Sequence, residues 1–455
     1  MIPAGFAPFV QRAPLCVMAR LTLENLFRPE RLDALFEEVA QRQYHKELLF
    51  SQVLELMMAV VLRVDDSVHA AYRKRRDQLP VSDQAVYDKL RCTELGVAAA
   101  VVADAAAQVR PVIEALHARL PPWLPGWRVR VLDGNLLSKT QRRVRELRQT
   151  WAAGLPGRVL AVYEPELDLV TDVLLTPDGH ANERTLLDDV RALVRAGDLW
   201  IADSNFCTLA FLFHVAGAGA RFVIRQHGAL TGRPVGERRR CGRGATGEVY
   251  EQEVDWTWQG RTLRLRRVTV VLDTPTRDGD TELHILTNLS DAEASATTVA
   301  QWYRQRWTIE GRFYEVAQTL QGEPQTLSYP PAALFAFCLA LVASNAVALL
   351  RASLRAVHPA EPVAEMSRHY MAREVQQTYA GMMIALPPAQ WQVFRDLSAA
   401  ALADVLRQVA RQVRPEDYRK ARRGPKKPPT AKDPYQNGGH VSTHRLLQQR
   451  KKPKP

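Results

Sequence analysis

From residue 20 to residue 120, apolar positions recur at steps of three and four. The stretches "LDALFEEVAQRQ", "LLFSQVLELMMAVVLRV" and "VAAAVVADAAAQVRPVIEAL" carry the pattern most plainly. This is the period of helices packed on one side, and it predicts a helical N-terminal region over residues 1–125. Within it, "PVSDQAVYDKL" offers Ser82 or Asp83 as an N-cap after a proline, hence a short helix behind the basic "YRKRRDQ". Plain packing is the plainer use of such a helix, and entry into a DNA groove the alternative.

The period changes at Trp127. "RVRVLDGN", "RVLAVYE" and "LDLVTDVLLT" read as strands, the first ending in an acid. "NERTLLDDVRALVRAG" predicts an amphipathic helix capped at Gly197, "LWIADSNF" a strand ending in Asp, "TLAFLFHVAGAG" a helix and "RFVIRQH" a strand. Strands joined through helices in this order predict an α/β core with one sheet, its first part spanning 126–227. Gly and Arg clusters followed by alternating runs mark a β-rich insertion over 228–290. A long helix through "DAEASATTVAQWYRQRWTIEGRFYEVAQTL" and an apolar helix at 331–350 then complete the core, 291–350. Residues 351–418 read as helical again. The apolar run is long enough to span a membrane, but Ser344 and Asn345 fall inside it, so a buried core helix is expected and no membrane partner.

Charge changes the picture at one end. The formal net charge is +12, yet twelve basic residues against one acid, Asp433, lie from Arg419 onward, giving +11 there and +1 elsewhere. A Pro-, Lys- and Gly-rich segment of that kind predicts a disordered basic tail, 419–455, suited to nucleic acid or to solubility alone. Five scattered cysteines without a CxxC pair argue against a disulfide framework and a zinc site, and with no signal-peptide pattern a cytoplasmic location is expected.

The candidate chemistry lies in three acids. Asp133 and Asp203 each follow an apolar strand run, at the sheet end where α/β proteins place ligands. Glu310 comes from the helix beyond the insertion. Carboxylates gathered together repel one another unless cations neutralise them. Mg²⁺ suits such a set, with Mn²⁺ as an alternative, because it takes few carboxylates and is completed by water and phosphate oxygens. Two ions about 4 Å apart can activate a water and stabilise the leaving oxygen of a phosphodiester. In "YRQRWTIEGRFYE", a helix turning about 100° per residue sets Tyr303 and Glu310 roughly 20° apart, with Arg306 within roughly 60°. An Arg306–Glu310 surface ion pair is the plainer use of that spacing.

"VLDGNLL", "LWIADSNF" and "YRQRWTIEGRF", in that order and with a β-rich insertion before the third, resemble the motifs of bacterial DDE transposases. The likeness is to the insertion sequence four family, whose third motif is Tyr, two residues, Arg, three residues, Glu. It covers residues 127 to about 350. The resemblance implies an RNase H-like catalytic core, with Asp133, Asp203 and Glu310 as catalytic metal ligands for two ions. It also implies a DNA transposase that cuts element ends and joins 3′ hydroxyls to target DNA. Its partners would be double-stranded DNA (terminal inverted repeats and target), held by a homodimer on the nucleoid. One position departs: the family's Lys seven residues after the Glu is Ala317 here, with Gln318 beside it. DNA-contact candidates are Tyr303, Arg306 and Trp307, with Lys139, Arg142 and Arg143 in "KTQRRVRELR" and the arginines of "GRPVGERRRCGRG" in the insertion. Trp307 suits either an unpaired base or the core. The rival readings are an RNase H-like nuclease without strand joining and a non-catalytic DNA-binding protein derived from a transposase.

Overall fold

In the apolar run at 331–350, Asn345 has a specific role. The computed structural model describes residues 2–43, 47–276, 279–421 and 439–451, and of Arg312, Tyr314, Glu315, Gln318, Arg450 and Lys451 the backbone alone. Strands β3 (Arg158–Glu164) and β4 (Leu169–Thr176) pair antiparallel, with a register shift between Val162 and Tyr163. Asn345, buried on the helix Pro330–Arg355, donates to the Val170 carbonyl at 2.8 Å and accepts from the Val170 N–H at 2.9 Å. A buried polar side chain thus satisfies backbone groups beside the irregularity. This helix is apolar and long enough to cross a membrane, as is Leu95–Ala115, but nearly all of it is buried inside the protein. It is the central core helix.

The sheet is mixed and has nine strands. β1 (Arg128–Leu136), β5 (Asp198–Ala202) and β6 (Arg221–Arg225) run parallel, joined by the helices Leu187–Leu193 and Leu209–Gly217. Parallel neighbours need such crossovers, whereas β1, β3 and β4 are antiparallel and joined by loops. The insertion comprises β7 (Arg233–Gly244), β8 (Gly247–Trp258), β9 (Arg261–Leu272) and β10 (Glu282–Thr287). It does not stand apart: β10 pairs with β6, so the order is β4-β3-β1-β5-β6-β10-β9-β8-β7. The β8–β9 hairpin turns through Gln259 and Gly260, both at positive φ (49° and 73°), the backbone that a tight two-residue hairpin requires.

Alternation divides the sheet's two faces. Val129 and Val131 of β1, with Leu199 and Ile201 of β5, pack into the large core shared with the long helices. Leu132, Trp200 and Ala202 pack on the other side, against Phe206, Phe211 and Leu212. The N-terminal helices Pro14–Leu26, Phe50–Val61 and Leu95–Ala115 share the first core with the helices Arg368–Ala385 and Ala399–Ala410. The result is a mixed α/β protein with helical flanks.

Four sequence expectations need correction. β1 does not end at Asp133 but runs on to Leu136, because β3 continues to pair with it after β5 has stopped. The helix near 190 ends at Leu193, and Gly197 (φ 82°) serves the turn into β5. The long helix of the third motif is two, Ala296–Gln305 and Thr308–Gln318, broken at Arg306 and Trp307. At the break the Arg306 N–H is shared between the Trp302 and Tyr303 carbonyls, both at 3.2 Å. Finally, the C-terminal segment is not wholly unfolded. β11 (His440–Ser442) pairs with the short β2 (Ala153–Leu155), and Thr443–Lys451 is a helix. Local composition predicted disorder, whereas the apolar and hydroxyl positions Val441, Ser442 and Thr443 find a partner far away in sequence. Residues 422–438 and 452–455, the rest of the basic stretch, lie outside the described residues.

Candidate active site

β1 and β5 place two acids side by side. Their parallel register pairs Leu132 with Ala202, so the next residues on the two strands are Asp133 and Asp203. Both continue the face of Val131 and Ile201, turned toward the helices of the third motif. Asp203 begins the short turn Ser204–Phe206, and Asp133 accepts from the Gly134 N–H at 2.9 Å.

The break between the two helices lets Tyr303, Arg306 and Glu310 converge there. The Tyr303 hydroxyl donates to Asp203 Oδ1 at 2.9 Å. Arg306 Nη1 donates to Asp133 Oδ2 at 2.5 Å, and its Nη2 lies 3.6 Å from Glu310 Oε1. Arg306 and Tyr303 are only 4% and 6% exposed, so the pair is not a solvated surface bridge. Glu310 remains exposed at the rim. The three acids and the arginine act electrostatically as one group. Burial pushes the Asp133 carboxyl up to about 6; Arg306 and the Gly134 N–H oppose the rise, and the charges of Glu310 and Asp203 add to it. Burial works against the Arg306 charge, but Asp133, Tyr303, Asp203 and Glu310 outweigh it and hold its pKa above the ordinary value. Burial and the Asp203 charge likewise push the Tyr303 phenol up, so it stays a donor.

Among the described residues, no three acid, His or Cys side chains stand close enough to enclose a metal ion. The donor chemistry nevertheless fits a hard divalent cation: carboxylates on adjacent strands, with a third at the rim, that need positive charge. Arg306 supplies that charge here. Its Nε is buried with no hydrogen-bond partner, a donor the protein does not satisfy.

Two residues at the site escaped the sequence reading. Glu183 reaches over β1: a Cβ on Gly134 would lie 2.3 Å from its Oε1, so the glycine next to Asp133 provides its room. Arg158 holds Glu183 at 3.0 Å and Asn205 donates to it at 3.1 Å. Glu323 accepts from the Ser138 N–H at 3.1 Å and from Asn135 at 3.3 Å, fastening the chain beyond Asp133. Gly134 within "DGN" was the only local signal.

The DNA-contact candidates divide. Tyr303 and Arg306 point at the acids rather than outward. Trp307 is 60% exposed, not core, and with Asp203, Arg225, Tyr303 and Arg306 it lines a cavity of about 580 Å³. Arg142 and Arg143 are exposed on the loop after β1, where Lys139 is half-buried. The insertion arginines are neutralised in place: Arg233 by Asp255 at 3.0 Å, Arg238 by Glu282 at 3.0 Å, Arg239 by Glu251 at 3.8 Å and Arg240 by Glu248 at 2.6 Å. Ala317 is half-buried, and the Gln318 side chain lies outside what is described.

Residues 126–346 match the family model described as "Transposase DDE domain", which supports a DDE transposase. No curated protein matches the chain. Among solved structures, the chain is similar to one described as a piggyBac transposase synaptic complex with hairpin DNA, determined by cryo-EM. The identity is 11% and the TM-score 0.38, over 87% of this chain and 85% of that one.

Proposed function

We propose that this protein is a DNA transposase of the insertion sequence four type, with an RNase H-like core that cuts the ends of its element and joins their 3′ hydroxyls to target DNA. The observation that carries the reading is that Asp133 and Asp203 follow the last paired residues of adjacent parallel strands, under a Tyr–Arg–Glu set from two consecutive helices and the break between them. The family match over residues 126–346 supports it.

In this reading Asp133, Asp203 and Glu310 hold two Mg²⁺ ions, with Mn²⁺ an alternative. The ions would supply charge to activate a nucleophile and to stabilise the leaving oxygen. The protein's own part is orientation. The Tyr303 hydroxyl fixes one oxygen of Asp203 and leaves the other for a ligand. The Gly134 N–H fixes Oδ1 of Asp133, and Arg306 takes its Oδ2. Arg306 holds Asp133 and Glu310 together without metal. Once cations take over that neutralisation, its guanidinium can grip a phosphate with parallel donors. Trp307, which lines the neighbouring cavity, would meet the strand being cut, and the loop bearing Lys139, Arg142 and Arg143 its phosphates. The partners are double-stranded element ends and target DNA, held by a homodimer in the cytoplasm on the nucleoid.

The test is a strand-transfer assay on DNA carrying the inverted repeats that flank the coding region. Joined products that depend on Mg²⁺ and on all three acids support the proposal. Cutting without joining makes the protein a nuclease, and DNA binding without cutting makes it a non-catalytic relative.

A further inference from the structure

Trp151 is 98% exposed, which is unusual for so large an apolar ring, and it lies in a basic loop that carries Lys139, Arg142, Arg143, Arg145 and Arg148. The loop leaves β1 just beyond Asp133 and closes on itself: the Thr140 N–H donates to the Gly154 carbonyl at 2.9 Å. Arg142 donates to the Thr150 carbonyl at 2.7 Å, and its guanidinium stands 6.0 Å from the centre of the Trp151 ring. Arg143, Arg145 and Arg148 of the same loop are exposed. Among the described residues neither Arg145 nor Arg148 makes an ion pair, unlike the neutralised arginines of the insertion.

The base of this loop is held by the C-terminal segment. β11 adds in parallel to β2, pairing His440 with Ala153, Val441 with Gly154 and Ser442 with Leu155. The Ala153 N–H, two residues past Trp151, donates to the Gly439 carbonyl at 3.3 Å. His180 and His440 share a hydrogen bond of 2.9 Å, and Arg445 pairs with Asp178 at 2.7 Å. The approach is close. A Cβ on Gly154 would fall 2.5 Å from Thr443 Oγ1 and 2.7 Å from a Leu147 methyl, so only glycine admits the docked segment. The helix Thr443–Lys451 thus follows directly on the strand that holds the loop's base.

We propose that the loop of residues 139–151, held by the docked C-terminal segment, forms a DNA-binding surface in which Arg142, Arg143, Arg145 and Arg148 take phosphates and Trp151 stacks on an unpaired base. The proposal rests on the transposase reading and adds a surface to it. Arginines without acid partners give affinity for phosphates, and an exposed aromatic ring gives a face for a base freed from its stack. The docked strand keeps the ring in place, so ligand and tail are coupled.

The experiment measures binding of a fluorescently labelled duplex, either fully paired or with one unpaired base, by anisotropy. The proteins are wild type, Trp151→Ala and Gly154→Val, each checked by thermal melting. Trp151 touches little of the fold, so its variant should melt with wild type. We expect Trp151→Ala to lose about tenfold in affinity for the DNA with the unpaired base and much less for the paired duplex, the range of one stacked base. Gly154→Val, which ejects the C-terminal segment, should lose affinity for both DNAs. If wild type binds and cuts DNA while Trp151→Ala binds both DNAs as wild type does, the surface is wrong and the transposase reading stands. If wild type binds neither DNA, both fall together.

Discussion

Replacing Arg306 by Gln should destabilise the metal-free protein, by an amount that grows with pH and shrinks with Mg²⁺. Arg306 is buried against Asp133, whose side chain is 14% exposed, whereas its other partner, Glu310, is 59% exposed. The Glu310 pairing is therefore worth well under about 1 kcal/mol, and the Asp133 pairing dominates. Leaving a buried carboxylate without its partner costs about 3–5 kcal/mol. Part of that is returned because the unsatisfied Arg306 Nε disappears as well. A net loss of about 3 kcal/mol follows from that range. At about 2.1 cal/mol/K per residue, unfolding all 455 residues together carries an entropy of about 1 kcal/mol/K, so the melting temperature should fall by about 3 °C. The pH dependence has a defined sign. The folded Asp133 carboxyl, at about 6, lies above the ordinary aspartate value of 3.8, so its stability contribution is full below about pH 4 and is lost as pH rises through about 6. Removing Arg306 takes away the largest opposing influence and widens that loss. The deficit should be clear at about pH 8, small at about pH 5, and reduced at the higher pH by millimolar Mg²⁺. Calorimetric melting of wild type and Arg306→Gln in these three conditions is the assay. Equal melting at the higher pH, or a deficit indifferent to both pH and Mg²⁺, refutes the view that Arg306 stands in for a cation.

Tyr303→Phe removes the donor to Asp203 and should cost about 1–3 kcal/mol of stability, with slower single-turnover cleavage at unchanged DNA affinity; equal cleavage would mean that Asp203 needs no such orientation. Gly134→Ala sets a methyl against Glu183, which Arg158 and Asn205 hold in place, so a loss of about 1–3 kcal/mol in urea denaturation is expected; a neutral result would show Glu183 free to move. Deleting residues 419–455 should weaken non-specific DNA binding and lower the slope of log K against log salt by about 0.9 for each phosphate the tail neutralises; an unchanged slope assigns the tail to solubility.

How much of this was legible depended on distance along the chain. Strand patterns around Asp133 and Asp203 were readable because each is a local alternation ending at a polar residue. The register that makes the two acids neighbours is a tertiary fact, and so is the continuation of β1 to Leu136, which β3 imposes. The spacing of Tyr303, Arg306 and Glu310 was visible, but not the break at Arg306 or that Tyr303 and Arg306 turn onto the acids. Helical periodicity cannot report where an N–H is shared. The pairing of the insertion arginines was hidden because their partners come from other strands, as with Arg238 of β7 and Glu282 of β10. Composition misread residues 439–451 for the same reason: the partner of β11 lies almost three hundred residues earlier, at β2.

The central claim is that Asp133, Asp203 and Glu310 form one metal-dependent cutting site. The most direct measurement is Mg²⁺-dependent cleavage of end-containing DNA by Asp133→Asn, Asp203→Asn and Glu310→Gln at saturating protein, alongside their DNA affinities. Loss of cleavage in all three with affinity retained is the predicted result, and wild-type cutting by any one of them contradicts it.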